Sequence, residues 1–379
     1  MVTSLVKEID LVVMNILRRI SLSRLLLLCG LVVALGVSAT AIASAVGSGP
    51  TPAPKPLADA IHDALAAPSV QGVSASVTLT DHLLEGASLA GGGQSGELTS
   101  SPLITGASGR LWIAKDGRVR LELQSQGGDT QILYDGNTLS LYDAATNTLY
   151  HYVPPAHEAG APASTAGQPH EVPTVAKIEE AISDLGKHAN ISAATPADVA
   201  GQSAYTVRVS PKEGGSLFGG VELSFDAVQG VPLRAAIYSS TSASPVIELA
   251  ATEVSYGPVA DSVFDINPPA SAKIEEVKSP DPSSAQASGN SASGADKPKI
   301  TTDGHGPAAI AVLESKTKTG ATGSKEPLEG LPKVTINGTS ASELRTELGT
   351  LLSFERGGVR YLLAGSVAPA AIEALARGL

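Results

Sequence analysis

Hydrophobic and polar residues alternate with a period of two through much of residues 57–269, which is typical of strands with one dry face and one wet face. In residues 73–80, for example, Val, Ala, Val and Leu alternate with Ser and Thr. The same alternation occurs in residues 118–124, 205–210 and 221–226. Short segments rich in Gly, Asp and Asn separate these runs and predict antiparallel hairpins. The whole region is predicted to contain about eleven strands.

Two helices are predicted to interrupt the strands, over residues 57–67 and 174–187, because apolar residues there recur every three or four positions. Thr174 and Gly186 are suitable residues for the two ends of the second helix. Two short helices cannot cover the dry face of so many strands. The sheet must therefore close into a filled barrel, pack as a sandwich, or curl around a hollow, and periodicity leaves all three open.

The same alternation identifies the apolar side chains that share the dry face. In a hollow domain they would line a cavity for an apolar ligand, and in a filled domain they would form ordinary core. These candidates are Val77, Leu79, Leu121, Leu123, Leu139, Leu141, Val207, Leu223, Phe225, Leu233, Ile237 and Leu249.

The composition changes after this region. Residues 270–326 are rich in Ser, Ala, Gly and Pro, which predicts a flexible linker, with a short strand or helix at residues 307–314. Residues 327–379 are periodic again and predict a small α+β module, with one helix over residues 341–349 and a last helix that starts near Pro369. This module is too short for a strong core of its own, so we expect it to pack against the first region or a partner.

The N-terminal part contains an apolar stretch, residues 24–46, that follows several arginines. About 20 apolar residues are enough for a helix to cross a bilayer, and the basic flank predicts that residues 1–23 are cytoplasmic. A signal peptide cleaved near residues 43–45 is the alternative. Residues 47–56 form a Pro-rich spacer. Both interpretations place the bulk of the chain outside the cytoplasm, either membrane-anchored by a single pass or secreted.

Composition argues against several functions. A net charge of −11 and 3 % aromatic residues argue against nucleic-acid binding, which needs a basic surface. One cysteine cannot form a disulfide or a cysteine-based zinc site within the chain. The histidines have no metal-ligand spacing, and the G-x-G-x-x-G match at residues 91–96 does not join a strand to a helix. We therefore expect no enzyme, no catalytic residue, no metal and no cofactor.

Four segments resemble motifs of the LolA/LolB-like superfamily of lipoprotein- and lipid-binding proteins. Residues 109–123 resemble its strand pair with an R-x-R run, and residues 134–150 resemble its Asp-Gly hairpin. Residues 226–234 resemble a turn between two strands, and residues 261–269 resemble the D-x-x-F-x-h-x-P-P motif that ends the domain.

The resemblance implies a mainly β (α+β) fold, an unclosed antiparallel barrel of about eleven strands with two helices as a lid over an apolar cavity. It also implies a non-catalytic carrier or sorting role. The partners would be the acyl chain of a lipid or lipoprotein and, through the N-terminal helix, the cytoplasmic membrane. A large domain followed by a small one also resembles the MucB/RseB type of envelope-stress regulator. The alternative function is therefore binding of an anti-sigma factor or another membrane protein.

Overall fold

The computed structural model describes five parts of the chain, which are residues 50–84, 102–153, 172–277, 299–316 and 331–379. The predicted anchor or signal peptide, residues 24–46, lies outside them. Within the described parts, no helix combines the length and the apolar character that a membrane crossing requires. The described end of the predicted spacer lies against the domain, where the Tyr205 hydroxyl donates to the carbonyl of Ala53 at 2.6 Å.

The larger of two sheets contains thirteen of the described strands. In chain order they are β1 (Gly72–Asp81), β2 (Ala107–Ala114), β3 (Val119–Ser125), β4 (Gly128–Tyr134), β5 (Leu139–Asp143), β6 (Thr148–Tyr152), β7 (Ala189–Ile191), β8 (Thr195–Val199), β9 (Gln202–Pro211), β10 (Phe218–Asp226), β11 (Pro232–Ser239), β12 (Pro245–Tyr256) and β13 (Lys273–Val277). Their order across the sheet is β13-β6-β5-β4-β3-β2-β1-β12-β11-β10-β9-β7, and β8 pairs with β9.

This sheet is not a closed barrel, because no ladder among the described strands joins β13 to β7. All neighbouring strands are antiparallel except β13, which runs parallel to β6. The prediction of a mainly β fold with an unclosed antiparallel sheet is therefore confirmed. Twelve of these strands fall within residues 57–269, close to the predicted number.

Both predicted helices of this region are present, as α1 (Leu57–Ala66) and α3 (Val175–Leu185). Thr174 caps α3, since its side chain accepts the backbone N–H of Lys177 at 3.4 Å. The two helices contact each other and cover the β9–β10 part of the sheet. A one-turn helix, α2 (Pro102–Thr105), was not predicted and packs on β1, β3 and β4.

Two of the segments that resemble the LolA/LolB-like superfamily meet on the side of the sheet opposite the helices. Arg120 on β3 donates to the carbonyls of Val263 and Asp265 at 2.7 and 2.8 Å. The guanidinium of Arg118 lies 4.6 Å from the centre of the Phe264 ring. These arginines fasten the end of the domain to the sheet, so the R-x-R run has a structural role here.

The second sheet contains six strands, in the order β14-β15-β19-β18-β17-β16. These are β14 (Lys299–Asp303), β15 (Ile310–Lys316), β16 (Lys333–Ile336), β17 (Thr339–Thr346), β18 (Gly349–Arg356) and β19 (Val359–Gly365), followed by the predicted last helix, α4 (Pro369–Gly378). Helix α4 packs on one face of this sheet, where Leu352, Leu363 and Ile372 are fully buried.

The predicted helix over residues 341–349 is wrong, because most of these residues form β17. Asn337 and Gly338 have φ angles of 49° and 81°, the left-handed pair of a tight hairpin turn. This turn joins β16 directly to β17, and β17 then pairs with β18 over residues 341–346. Strand pairing on both sides outweighs the local helical preference of the sequence.

The predicted linker, residues 270–326, also differs from expectation, since its described parts contain β13, β14 and β15. Strand β15 lies inside the small sheet, between β14 and β19. Its apolar run, residues 310–313, is buried on both faces and therefore shows no alternation that could mark a strand. The small module thus begins before residue 327.

The small module contacts the rim of the large sheet at two places. The backbone N–H of Leu217, just before β10, donates to the carbonyl of Ser366 at 2.7 Å, and the hydroxyl of Ser216 donates to the same oxygen at 2.9 Å. The N–H of Glu347 donates to the carbonyl of Leu83, just after β1, at 3.1 Å. Both contacts lie at the same end of the strands.

The turn between β10 and β11 is organised by Asp226, which is buried. Its carboxylate accepts the backbone N–H groups of Val228 and Gln229 at 2.7 and 2.8 Å and the hydroxyl of Tyr256 at 2.5 Å. Burial and this carboxylate raise the pKa of the Tyr256 hydroxyl well above its usual value. One side chain therefore links the turn to the far end of β12.

We predict that Gly230→Ala destabilises the protein more than Gly201→Ala. Both glycines have left-handed φ angles, +68° and +74°, so each change costs about 1–2 kcal/mol of backbone strain. Only at position 230 would the new methyl group collide with another element, the carbonyl of Ala64 at the end of α1. Overpacking adds about 1–3 kcal/mol, measurable by urea unfolding. If the free energy of unfolding falls equally in the two variants, the turn at Gly230 does not lie in close contact with α1.

We also predict that stability falls above pH 10 more steeply in the native chain than in Tyr256→Phe. The folded state keeps Tyr256 protonated after the unfolded state has lost its proton, so folding binds an extra proton and rising pH favours unfolding. Titration of one group cannot change the free energy of unfolding by more than about 1.4 kcal/mol per pH unit. Tyr134→Phe, which removes a hydroxyl that donates to the carbonyl of Gly136, is the control for the loss of a tyrosine hydroxyl.

Candidate binding face

Strand register identifies the side chains that share one face of the large sheet, since directly paired residues point to the same side. Leu79 on β1 pairs with Leu249, Leu249 with Ala235, Ala235 with Leu223, and Leu223 with Val207. This row crosses five strands, and its Val207 end lies beneath α1 and α3. We call the side that carries this row the inner face, and the opposite side the outer face.

A second row continues the inner face over the other half of the sheet. Leu141 pairs with Ile132, Ile132 with Leu121, Leu121 with Leu111, and Leu111 with Ala75. The alternation places most of the remaining candidates on the same side. Leu233 is the exception, because it is the unpaired residue at an irregular pairing of β11 with β10 and the register does not assign it to a face. The structure thus brings together on one face Val77, Leu79, Leu121, Leu123, Leu139, Leu141, Val207, Leu223, Phe225, Ile237 and Leu249.

The two halves of the inner face differ in how they are covered. Over β9 and β10, Val207, Leu223 and Phe225 are 2–6 % exposed and pack against α1 and α3. These three side chains are filled core beneath the helices. Leu233 is buried as well. In this half α1 and α3 pack directly on the sheet.

Over β1 to β5 the inner face keeps accessible apolar surface. Val77 and Leu123 form a buried centre, and α2 adds Leu103 to it. Leu79, Leu121 and Leu249 are partly buried and pack against that centre. Elsewhere on the same face Leu141 and Ile237 are partly buried, Leu139 on β5 is 39 % exposed, and Ala235 on β11 is exposed.

One polar group at the rim of this surface is Asp81, at the end of β1. Burial raises the pKa of its carboxyl, and a hydrogen bond from the N–H of Leu83, at 2.7 Å, opposes that effect. Among the described residues, no group of His, Cys, Asp and Glu side chains is arranged to hold a metal ion. The described part of the inner face therefore combines apolar side chains with a carboxyl group at its rim.

Comparison with known proteins gives matches only among solved structures. No protein-family model matches this chain, and no curated protein matches its sequence. The MucA/MucB complex of Pseudomonas aeruginosa is 14 % identical, covers 84 % of this chain and 96 % of its own, and has a TM-score of 0.41.

Two further solved structures are similar over shorter stretches. An uncharacterised conserved protein of Thermus thermophilus is 11 % identical over 58 % of this chain and 98 % of its own, with a TM-score of 0.34. A domain of Vibrio parahaemolyticus, described as a putative outer membrane lipoprotein-sorting protein, is 10 % identical over 55 % and 95 %, with a TM-score of 0.24. The matches include both kinds of protein that the sequence resembles, the LolA/LolB-like and the MucB type.

We predict that the two halves of the inner face respond differently to truncation. Leu223→Ala should lower the free energy of unfolding by about 3 kcal/mol, because it opens a cavity beneath the helices. Leu139→Ala should lower it by less than about 1 kcal/mol, because that side chain already faces solvent. Urea unfolding of both variants measures the difference, and similar losses would contradict an open half.

Proposed function

We propose that this protein is a non-catalytic binding protein that holds an acyl chain, from a lipid or a lipoprotein, against the open half of its inner face. The observation that carries the proposal is the set of partly buried apolar side chains, among them Leu79, Leu121 and Leu249, that pack against the buried centre at Val77 and Leu123. Leu139 and Ala235 are exposed on the same face. An apolar chain laid on this surface would extend that core.

The energy of such a contact is adequate for binding. Burial gains about 0.8 kcal/mol per methylene, so about ten methylenes gain roughly 8 kcal/mol. Association then costs several kcal/mol in lost freedom of motion. With a cost of about 4 kcal/mol, at most about 4 kcal/mol remains, which corresponds to a Kd of about 1 mM. A longer acyl chain would bind more tightly, and a carrier or sorting protein must release its ligand as well as hold it.

Export belongs to the same proposal and is supported by sequence alone. Residues 24–46 would anchor the chain in the cytoplasmic membrane with its bulk extracytoplasmic, or would be cleaved as a signal peptide. The alternative is a regulator of the MucB/RseB type that binds an anti-sigma factor or another membrane protein. In that case the open half of the inner face would be covered by protein.

The test is photocrosslinking of the full chain in its own host. A photoreactive benzoylphenylalanine replaces either Leu139 or Ala235, which are exposed on the inner face. Matched controls carry it at Val228, which is 67 % exposed in a turn, or at Ser108, exposed on the outer face. Mass spectrometry of the adducts should show acyl lipid or acylated protein at the inner positions only.

Two results would overturn the proposal. Adducts with a protein that carries no acyl chain, found only at the inner positions, would replace it by the regulator alternative. Equal labelling at inner and control positions would show that the inner face has no preferred ligand.

A further inference from the structure

A separate depression of about 240 Å³ lies on the outer face, above β1 and between β2 and β12. The side chains that matter for its chemistry are Ser74, Ser76, Arg110, Trp112, Glu253 and Ser255. Its lining is mainly polar, in contrast to the inner face directly behind it. The volume equals about eight water molecules at roughly 30 Å³ each.

Strand register explains the shape of the depression. Ser76 on β1 pairs with Arg110 on one side and with Glu253 on the other. Two small serines, Ser74 and Ser76, therefore form a low floor between rows of larger side chains. Neighbouring strands are about 4.8 Å apart, so the backbone positions of Arg110 and Glu253 are about 9.6 Å apart, with Ser76 between them.

An irregularity in the sheet coincides with this floor. The pairing of β1 with β12 shifts between Ser76 and Val77, which leaves Thr252 as an extra residue on β12. The Thr252 hydroxyl donates to the carbonyl of Ser76 at 3.3 Å, and the Ser255 hydroxyl donates to the carbonyl of Ser74 at 3.3 Å. Bulges of this kind redirect side chains and are frequent beside functional sites.

The two charges in the depression are not neutralised within the described part of the chain. Arg110 makes no hydrogen bond or ion pair there, because Glu122, its neighbour across β3, is bound to Arg120 at 2.7 Å. The Glu253 carboxylate accepts only the Ser76 hydroxyl, at 3.4 Å. A cation and an anion thus face the same small space without contacting each other.

We propose that this depression binds a small zwitterion, with its anionic group on Arg110 and its ammonium group on Glu253. A small molecule that carries one charge of each sign can meet both groups at once, and charged hydrogen bonds are stronger than neutral ones. β-Amino acids, aminosulfonates and phosphoethanolamine have this chemistry and fit the volume. The site stands apart from the acyl-binding proposal, since it uses the opposite face of the sheet.

The fluorescence of Trp112 can report ligand binding, because Trp112 lines the depression and is the one tryptophan in the chain. It also packs against the cluster that contains Phe264, Leu133 and Val259, which holds it in place. A ligand in the depression should therefore change its fluorescence, whereas an acyl chain on the inner face lies on the other side of the sheet.

The test is a fluorescence titration of the full chain with β-alanine and O-phosphoethanolamine. Propionate and ethylammonium, which carry one charge each, are the ligand controls. We expect saturable changes in Trp112 fluorescence with the zwitterions and at least tenfold weaker binding of the single-charge compounds.

Arg110→Gln and Glu253→Gln should each weaken binding of the zwitterions about tenfold or more. Lys115→Gln, in the β2–β3 turn, should leave it unchanged.

Three results would overturn the proposal: no saturable change, equal binding of propionate and β-alanine, or binding that survives both Gln substitutions. Arg110 and Glu253 are exposed, so thermal melting should confirm that both variants keep the native fold.

Competition by phosphatidylethanolamine vesicles, but not by phosphatidylglycerol vesicles, would identify a membrane lipid as the source of the zwitterion. Absence of competition, with β-alanine still bound, would assign a free solute.

Discussion

The structure depends on one constraint: a large unclosed sheet must bury the apolar side of its strands. Helices α1 and α3 do this over β9 and β10, where Val207, Leu223 and Phe225 form a filled core. No comparably long helix among the described residues covers β1 to β5, where one-turn α2 is the helix in contact with the sheet. This difference between the halves explains why the inner face keeps accessible apolar surface over β1 to β5.

Polar groups that contact backbone hold the sheet at its ends. Asp226 organises one turn and binds Tyr256, and Arg120 fastens the last segment of the domain to the outer face. Both residues belong to segments that resemble the LolA/LolB-like superfamily. Their contacts are internal, so the resemblance concerns the architecture of the sheet and gives no direct information on the ligand.

The two faces of the sheet offer different chemistry within a few ångströms of each other. The inner face around Val77 is apolar, whereas the outer face above Ser76 carries a cation and an anion that do not contact each other. This contrast follows from the alternation of side chains along β1, which sends neighbouring residues to opposite sides. A substitution on one face can therefore be designed without changing the other.

The sequence by itself predicted most strands of the large sheet, helices α1 and α3, and the alternation that defines the inner face, because side-chain alternation and helical spacing are local properties. It failed at β13, which lies in the predicted linker. It also failed at β15, whose apolar residues are buried on both sides, and at β17, where a hairpin turn and two partner strands prevail over helical preference. Only the tertiary structure decided which inner-face residues lie under helices and which stay accessible. It alone brought Arg110 and Glu253 together, since their pairing with Ser76 joins strands that are far apart in the chain.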